Sequence, residues 1–247
     1  MILSGVFGYE HIIFLIVALA LIIGSCILLK KKQLDEKQIE LFMRIGGIIW
    51  LVFILANRIS VTYTDVVINH REGYTWLNVI PNSFCGMSSL ILSIVMIIGK
   101  KDNFVLHSIG YIGMIGGLVT MFYPDFLDSQ SFLDIRSITG LLHHTMMFYM
   151  MLIAIVLNYM TPSIKKWYYL PLGMCFMTTI GVIEYDALGF LKAMQIKEPF
   201  IKSFPILSSW YMTDLMMIVA YFVFIIIYEK KKNQCTLKEV FQMLKNK

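Results

Sequence analysis

Long apolar runs alternate with short polar breaks along the whole chain. Seven runs stand out, at about 11–29, 45–64, 79–99, 104–123, 138–160, 168–190 and 206–228. Each can supply the roughly 20 helical residues that cross a hydrocarbon core about 30 Å thick. Lipid leaves backbone polar groups unsatisfied, so a span is either a helix or a strand of a closed barrel. No run shows the two-residue alternation of a barrel strand. The pattern therefore predicts an all-α polytopic membrane protein with seven transmembrane helices. The first run starts too late and is too long for a signal peptide, and no small-residue cleavage site follows it. The stretch 184–205 admits a second reading, as an early helix end followed by a lid or re-entrant segment.

Composition agrees with this pattern. Of 247 residues, 58% are hydrophobic and 15% charged, with a mean hydropathy of +0.72. An ordinary soluble domain carries roughly 25% charged residues. A soluble enzyme, a disordered tail and a disulfide-rich secreted domain are excluded, and the length limits the chain to about eight or nine spans. The net charge of +5 makes no case for nucleic acid. With 6 prolines, no Ser/Gly-rich linker and no internal repeat, one transmembrane domain is expected over 1–229, followed by a short basic tail, 230–247. The tail is expected to form a surface helix with Val240, Phe241 and Leu244 facing lipid.

Charge then sets orientation. Fifteen basic residues fall on one side, from Lys30–Lys32, Lys37 and Arg44 through Lys100, Lys101, Lys165 and Lys166 to the tail. Six fall on the other: Arg58, Arg71, Arg136, Lys192, Lys197 and Lys202. The basic side is expected to be cytoplasmic, which places the N-terminus outside and the C-terminus inside.

Orientation gives each polar residue a depth. Cys85 and His144 lie about six residues into spans three and five, roughly 9 Å below the outer boundary. Asp214 lies at a similar depth in span seven. Glu184 and Asp186 lie near the outer end of span six, Asn57 and Arg58 in the outer part of span two, and Tyr123 and Asp125 at the outer end of span four. Ionisable residues inside a membrane are costly and mark sites or pathways. Asn78, Asn82, Cys85, Ser89 and Ser93 are spaced 4, 3, 4 and 4, as one helical stripe facing the bundle interior. Gly140, His144, Met147 and Met151 share a face of span five. His143 is rotated about 100° from His144, so the two are not expected to point squarely at one centre. Trp210, Asp214 and Tyr221 share a face of span seven. Gly113 and Gly117 form a small-xxx-small pair that reads as close helix packing.

Most such residues have a plain structural reading. A free cysteine is usually a small hydrophobe, and a membrane histidine is often a packing residue held by a hydrogen bond. Cys85 differs by sharing a polar stripe level with a histidine that can deprotonate it, the thiolate being the reactive form. Glu184 and Asp214 read equally as partners for Arg58. The cluster Met146, Met147, Met150, Met151 and Met160 reads as irregular packing, or as the wall of a lipid-chain tunnel. Cys26, Cys175 and Cys235 lie too far from Cys85 to form a disulfide.

Several segments resemble a known family. Ile80-Pro81-Asn82-Ser83-Phe84-Cys85 is similar to the Leu-Pro-Leu-His-x-Cys segment that opens the third span of YwaF-like bacterial integral membrane proteins, relatives of a eukaryotic transmembrane acyltransferase of ether phospholipids. Phe122-Tyr123-Pro124-Asp125 looks like the family's aromatic-x-Pro-Asp end of span four. Leu142-His143-His144-Thr145 looks like its span-five histidine segment, aligned on His144. Ser208-Ser209-Trp210-Tyr211 looks like the Pro-Trp-Tyr start of span seven. The motif histidine beside the cysteine is Asn82 or Ser83 here, and the usual Asn-Tyr of span six is Glu184-Tyr185. The resemblance implies a bacterial plasma-membrane protein in which Cys85 takes a fatty acyl chain from a phospholipid and passes it to a lysophospholipid.

The leading expectation is an intramembrane acyltransferase or phospholipid hydrolase that needs no cofactor, with Cys85 as nucleophile and His144 as base and then acid. Asn57, Asn82 or Ser89 would bind a developing oxyanion, and Asp214 or Glu184 would orient His144. Arg58, His143, Tyr185 and Trp210 complete the candidate set. A zinc-dependent amidase would instead use His143, His144, Glu184 and Asp214, without the usual His-x-x-His or His-x-x-x-His spacing. A transporter or small-molecule binding or sensor protein would use the same polar layer as a recognition site.

Overall fold

The computed structural model describes residues 5–128, 130–190, 193–197, 199, 205–206 and 208–245. Lys192, Lys202 and Lys247, counted above for orientation, lie outside them. Eight α-helices and no strand occur among the described residues: α1 Tyr9–Lys32, α2 Glu36–Tyr63, α3 Phe84–Ile98, α4 Phe104–Phe122, α5 Ile135–Val156, α6 Tyr169–Leu188, α7 Trp210–Asn233 and α8 Leu237–Lys245. Five helical stretches are long and apolar enough to cross a membrane: Tyr9–Lys32, Glu36–Ile68, Phe104–Asp128, Ile135–Val156 and Trp210–Asn233. The α3 helix is apolar but only 15 residues long.

Local chemistry moves several expected boundaries. The α2 helix begins at Glu36 rather than 45, because Asp35 and Gln38 close a reciprocal capping box. Only residues 33–35 join α1 to α2, with Gln33 in the left-handed region (φ 47°) ending α1. The α3 helix begins at Phe84 rather than 79. Pro81 lacks an N–H and holds Ile80 extended, and the Ser83 hydroxyl accepts from Gly86 N at 3.1 Å to cap the new start. The predicted five-residue stripe therefore breaks: Asn78 sits in a separate 3-10 turn (Trp76–Val79), and Cys85, Ser89 and Ser93 remain on the helix. Beyond α6, Gly189 is left-handed (φ 70°). The short turn Ala193–Gln195 returns to the bundle, where Met194 is fully buried and donates to the Asn82 carbonyl at 2.8 Å.

The core is rich in methionine. Met43, Trp50, Leu92, Met96, Leu106, Met147, Met150, Met151 and Ile153 are fully or almost fully buried between α2, α3, α4 and α5. Flexible thioethers fill the irregular gaps there. The α4 and α5 helices approach closely at Gly117. A side chain there would meet the His144 carbonyl at 2.7 Å and Phe148 N at 2.8 Å, as the small-residue spacing predicts. His11, fully buried in α1, bridges Phe7 N (3.1 Å) and the Met121 carbonyl (3.0 Å), tying α1 to the end of α4.

A polar latch closes the end where α2 begins and α7 finishes. Asp102 accepts from Lys166 Nζ (2.5 Å) and Thr161 N (2.9 Å) and lies 2.7 Å from His107 Nε2. Burial pushes its pKa up, but these hydrogen bonds and the lysine charge outweigh it and hold the carboxyl below its ordinary value. Glu229 accepts from Ser163 Oγ (2.9 Å), Ile164 N (2.9 Å) and Asn233 Nδ2 (2.6 Å). The α8 helix docks beside this network. Its Val240 is fully buried against the bundle, contrary to the lipid-facing expectation, while Phe241 stays exposed.

Candidate functional site

At the opposite end, α2, α3 and α5, with Phe126 and Gln130, surround a cavity of about 260 Å³. Ile54, Asn57, Arg58 and Val61 line it from α2. Ser83 and Gly86 line it from the start of α3, and Arg136, Gly140, His143 and His144 from α5. Phe126 and Gln130 complete the wall, and no acidic side chain is among these lining residues.

Arg58 supplies the positive charge. Its guanidinium donates to the carbonyls of Asn78, Val79 and Ile80, which end the 3-10 turn before Pro81. Arg58 forms no ion pair with Glu184 or Asp214. Arg136, by contrast, is neutralised by a two-pronged contact to Asp134 at 2.9 and 2.6 Å. Those hydrogen bonds hold the Asp134 carboxyl below its ordinary pKa. Asn57 Nδ2 donates to the Arg136 carbonyl (2.9 Å) and to Thr139 Oγ1 (3.3 Å), fixing α2 to the first turn of α5.

Both histidines reach the cavity, contrary to the divergence expected from helical rotation. Their rings tilt together with centroids 4.0 Å apart. His143 Nδ1 lies 3.3 Å from Ser89 Oγ, which accepts from Trp50 Nε1 at 2.6 Å. Ser89 thus joins a buried side-chain relay and is not turned to the cavity as an oxyanion donor. His144 is 9% exposed, and its Nδ1 has no hydrogen-bond partner among the described residues. Neither Glu184 nor Asp214 hydrogen-bonds to it, so the expected orienting carboxylate is not in place.

Cys85 sits in the first turn of α3, one residue inside the helix start. The sulfur packs against α4, where a side chain on Gly116 would meet Sγ at 2.8 Å, and it interacts with Thr120. Cys85 is flanked by the lining residues Ser83 and Gly86 without being a lining residue itself, and no hydrogen bond joins it to His144 among the described residues.

The remaining candidates gather elsewhere. Asp214 accepts from Thr178 Oγ1 at 3.3 Å, and its Oδ1 is buried without a partner among the described residues. Glu184 is 3% exposed, and neither of its oxygens has a partner among the described residues. Tyr185 lies under Lys197, with 4.3 Å from Nζ to the ring centre, and Trp210 packs edge-on to Tyr211. Asn82 offers its carbonyl to Met194 and lies outside the cavity lining. The single polar layer of the sequence is thus two groups, one on α2, α3 and α5 and one on α6 and α7. No three of His, Cys, Asp or Glu come together as a metal-ligand set among the described residues, so the four proposed zinc ligands do not converge.

Trp50, Ser83, Gln130 and Arg136 are not among the site residues expected from the sequence. Trp50 carries a readable signal: Met43, Trp50, Ile54 and Asn57 are spaced 7, 4 and 3, one helix face ending at the cavity. Arg136 reads as a loop charge until the fold brings it beside Asn57.

Fold and site together define a multi-helix membrane protein with a polar, histidine-lined cavity near one end of its bundle. Residues 6–228 match the TMEM164 family, and the chain belongs to that family of transmembrane proteins. No curated protein and no solved structure matches it.

Proposed function

We propose that the protein is an intramembrane lipid acyltransferase, with Cys85 as nucleophile and His144 as general base and then acid. The observation that carries this reading is the juxtaposition of a cationic, two-histidine cavity with a cysteine in the first turn of the helix that walls it. The resemblance to YwaF-like proteins and their acyltransferase relatives adds the substrate class, a membrane phospholipid donor and a lysophospholipid acceptor.

In this reading seven helices span the bacterial plasma membrane, including the shorter α3 and the more polar α6. The lysine-rich end that carries the latch is cytoplasmic, which puts the cavity in the outer leaflet. The chain from 230 onward is a cytoplasmic tail. The Cys85 side chain turns from Gly116 toward the wall formed by Gly86. His144 takes its proton, and the thiolate attacks the ester carbonyl. The ester C–O bond breaks, a thioester forms, and His144 returns the proton to the departing lysolipid oxygen. The acceptor hydroxyl then attacks the thioester, giving its proton to His144, which passes it back to the released thiolate. Arg58 faces the lipid phosphate.

The test is acyl transfer from labelled phospholipid to lysophospholipid by the purified protein in vesicles. Cys85→Ser and Cys85→Ala should abolish transfer, and transfer retained by either variant sinks the reading. One observation favours a binding or sensor role instead: the sulfur rests on α4 and outside the cavity lining. Saturable lipid binding that survives Cys85→Ala, in a wild-type protein without transfer, would establish that second reading.

A further inference from the structure

The relay behind His143 fixes which of its nitrogens carries the proton. The Trp50 indole N–H can only donate, and it donates to Ser89 Oγ at 2.6 Å. Ser89 is fully buried, and Trp50 and His143 are its only side-chain partners among the described residues. Were His143 Nδ1 to donate to Ser89, the serine hydroxyl would receive two hydrogen bonds and have nowhere to send its own proton. A buried hydroxyl without an acceptor is disfavoured. The arrangement that satisfies every group runs one way: Trp50 donates to Ser89, and Ser89 donates to His143 Nδ1. An imidazole accepting at Nδ1 holds its hydrogen on Nε2 when neutral. Nε2 has no protein partner among the described residues, and His143 lines the cavity.

We infer that Trp50 and Ser89 hold His143 as a neutral imidazole whose Nε2–H is presented to the cavity as a hydrogen-bond donor for a ligand oxygen. Trp50 and Ser89 are then positioning residues. The two adjacent histidines are held differently: His143 is wired as a fixed donor, whereas His144 Nδ1 is buried with no hydrogen-bond partner among the described residues. Joined to the acyl-transfer reading, on which this last step rests, His143 donates to the ester carbonyl oxygen as negative charge develops on it. Preorganised donors act most strongly at that position.

The tautomer is measurable without any activity. The chain has 5 histidines, so nitrogen NMR of the full-length, histidine-labelled protein in lipid nanodiscs gives a small set of imidazole signals. The His143 set is identified by its loss in His143→Gln. The expected spectrum shows a bare Nδ1 and a protonated Nε2 at neutral pH. Ser89→Ala and Trp50→Phe should each mix the tautomers, and Ser89→Thr, which keeps the hydroxyl, should restore the wild-type pattern. A protonated Nδ1 in the wild type, or a His143 signal unmoved by Ser89→Ala, overturns the inference. The wild-type spectrum decides the tautomer even if a variant fails to fold. In the transfer assay, removal of one oxyanion donor costs roughly 100- to 1,000-fold in kcat. Ser89→Ala is expected to lower kcat about tenfold or more, with KM little changed and Ser89→Thr restoring the rate. A wild type with the expected tautomer but no acyl transfer supports the donor assignment and overturns only the acyl-transfer reading.

Discussion

The two ends of the bundle treat polar groups in opposite ways. At the latch end, the Asp102 carboxylate meets Lys166, Thr161 and His107, and Glu229 meets Ser163, Ile164 and Asn233. At the cavity end, Arg58 faces no carboxylate within ion-pair distance and His144 Nδ1 has no partner among the described residues. A buried polar group stabilises only when it is paired. The paired carboxylates at the latch hold helices together, whereas a buried nitrogen without a partner, as at His144, costs stability. Polarity inside a membrane is thus not one signal.

Substitutions at the two ends should separate in the same way. The largest contrast is expected from His144→Phe. Loss of a general base typically costs 100- to 10,000-fold, so acyl transfer should fall by about that factor. Thermal stability in detergent should hold or rise, because an unpartnered buried nitrogen is removed. A large drop in melting temperature with transfer retained would reverse the assignment. Glu229→Ala should show the mirror image. It strands three donors, with an expected loss of about 2–3 kcal/mol, but the rate per folded molecule should stay within a factor of two or so. A denaturation series with active-site titration measures both quantities.

Gly117→Val probes the seam between the two ends. A branched side chain against the α5 backbone should cost about 1–3 kcal/mol and lower activity together with stability. Activity lost at unchanged stability would instead place Gly117 in the site. The smallest effect concerns pH. Asp102 is held below its unfolded value of about 4. Its contribution is fully present above that unfolded value and is lost as pH falls through the lower, folded one. Melting temperatures between pH 7 and pH 3 should therefore show a shallow acid decline that Asp102→Asn flattens. An unchanged decline would assign it to other carboxylates.

Much of the helical framework was legible in the chain, because a span must hide its backbone and its hydrophobic length is written locally. Boundaries moved wherever a single side chain capped or broke a helix, as Asp35, Pro81 and Ser83 do. Cap chemistry is also local, so those shifts were readable in principle. The site was less legible. Depth assigned Asn57, Arg58, Cys85, His144, Glu184 and Asp214 to one layer, and depth is one coordinate of three. It could not say that Glu184 and Asp214 lie with α6 and α7, away from the cavity that Asn57, Arg58 and both histidines line.

The sequence by itself determined a helical membrane protein and the short list of polar residues held inside the bundle. These follow from composition, hydrophobic length and motif, which are properties of neighbouring residues. Tertiary structure alone decided that Ser89 belongs to Trp50 and His143, that Arg58 caps a broken turn and that the Cys85 sulfur rests on Gly116. Those pairings join residues 20 to 54 positions apart. Only the packing of whole helices against one another fixes which side chains meet across such distances.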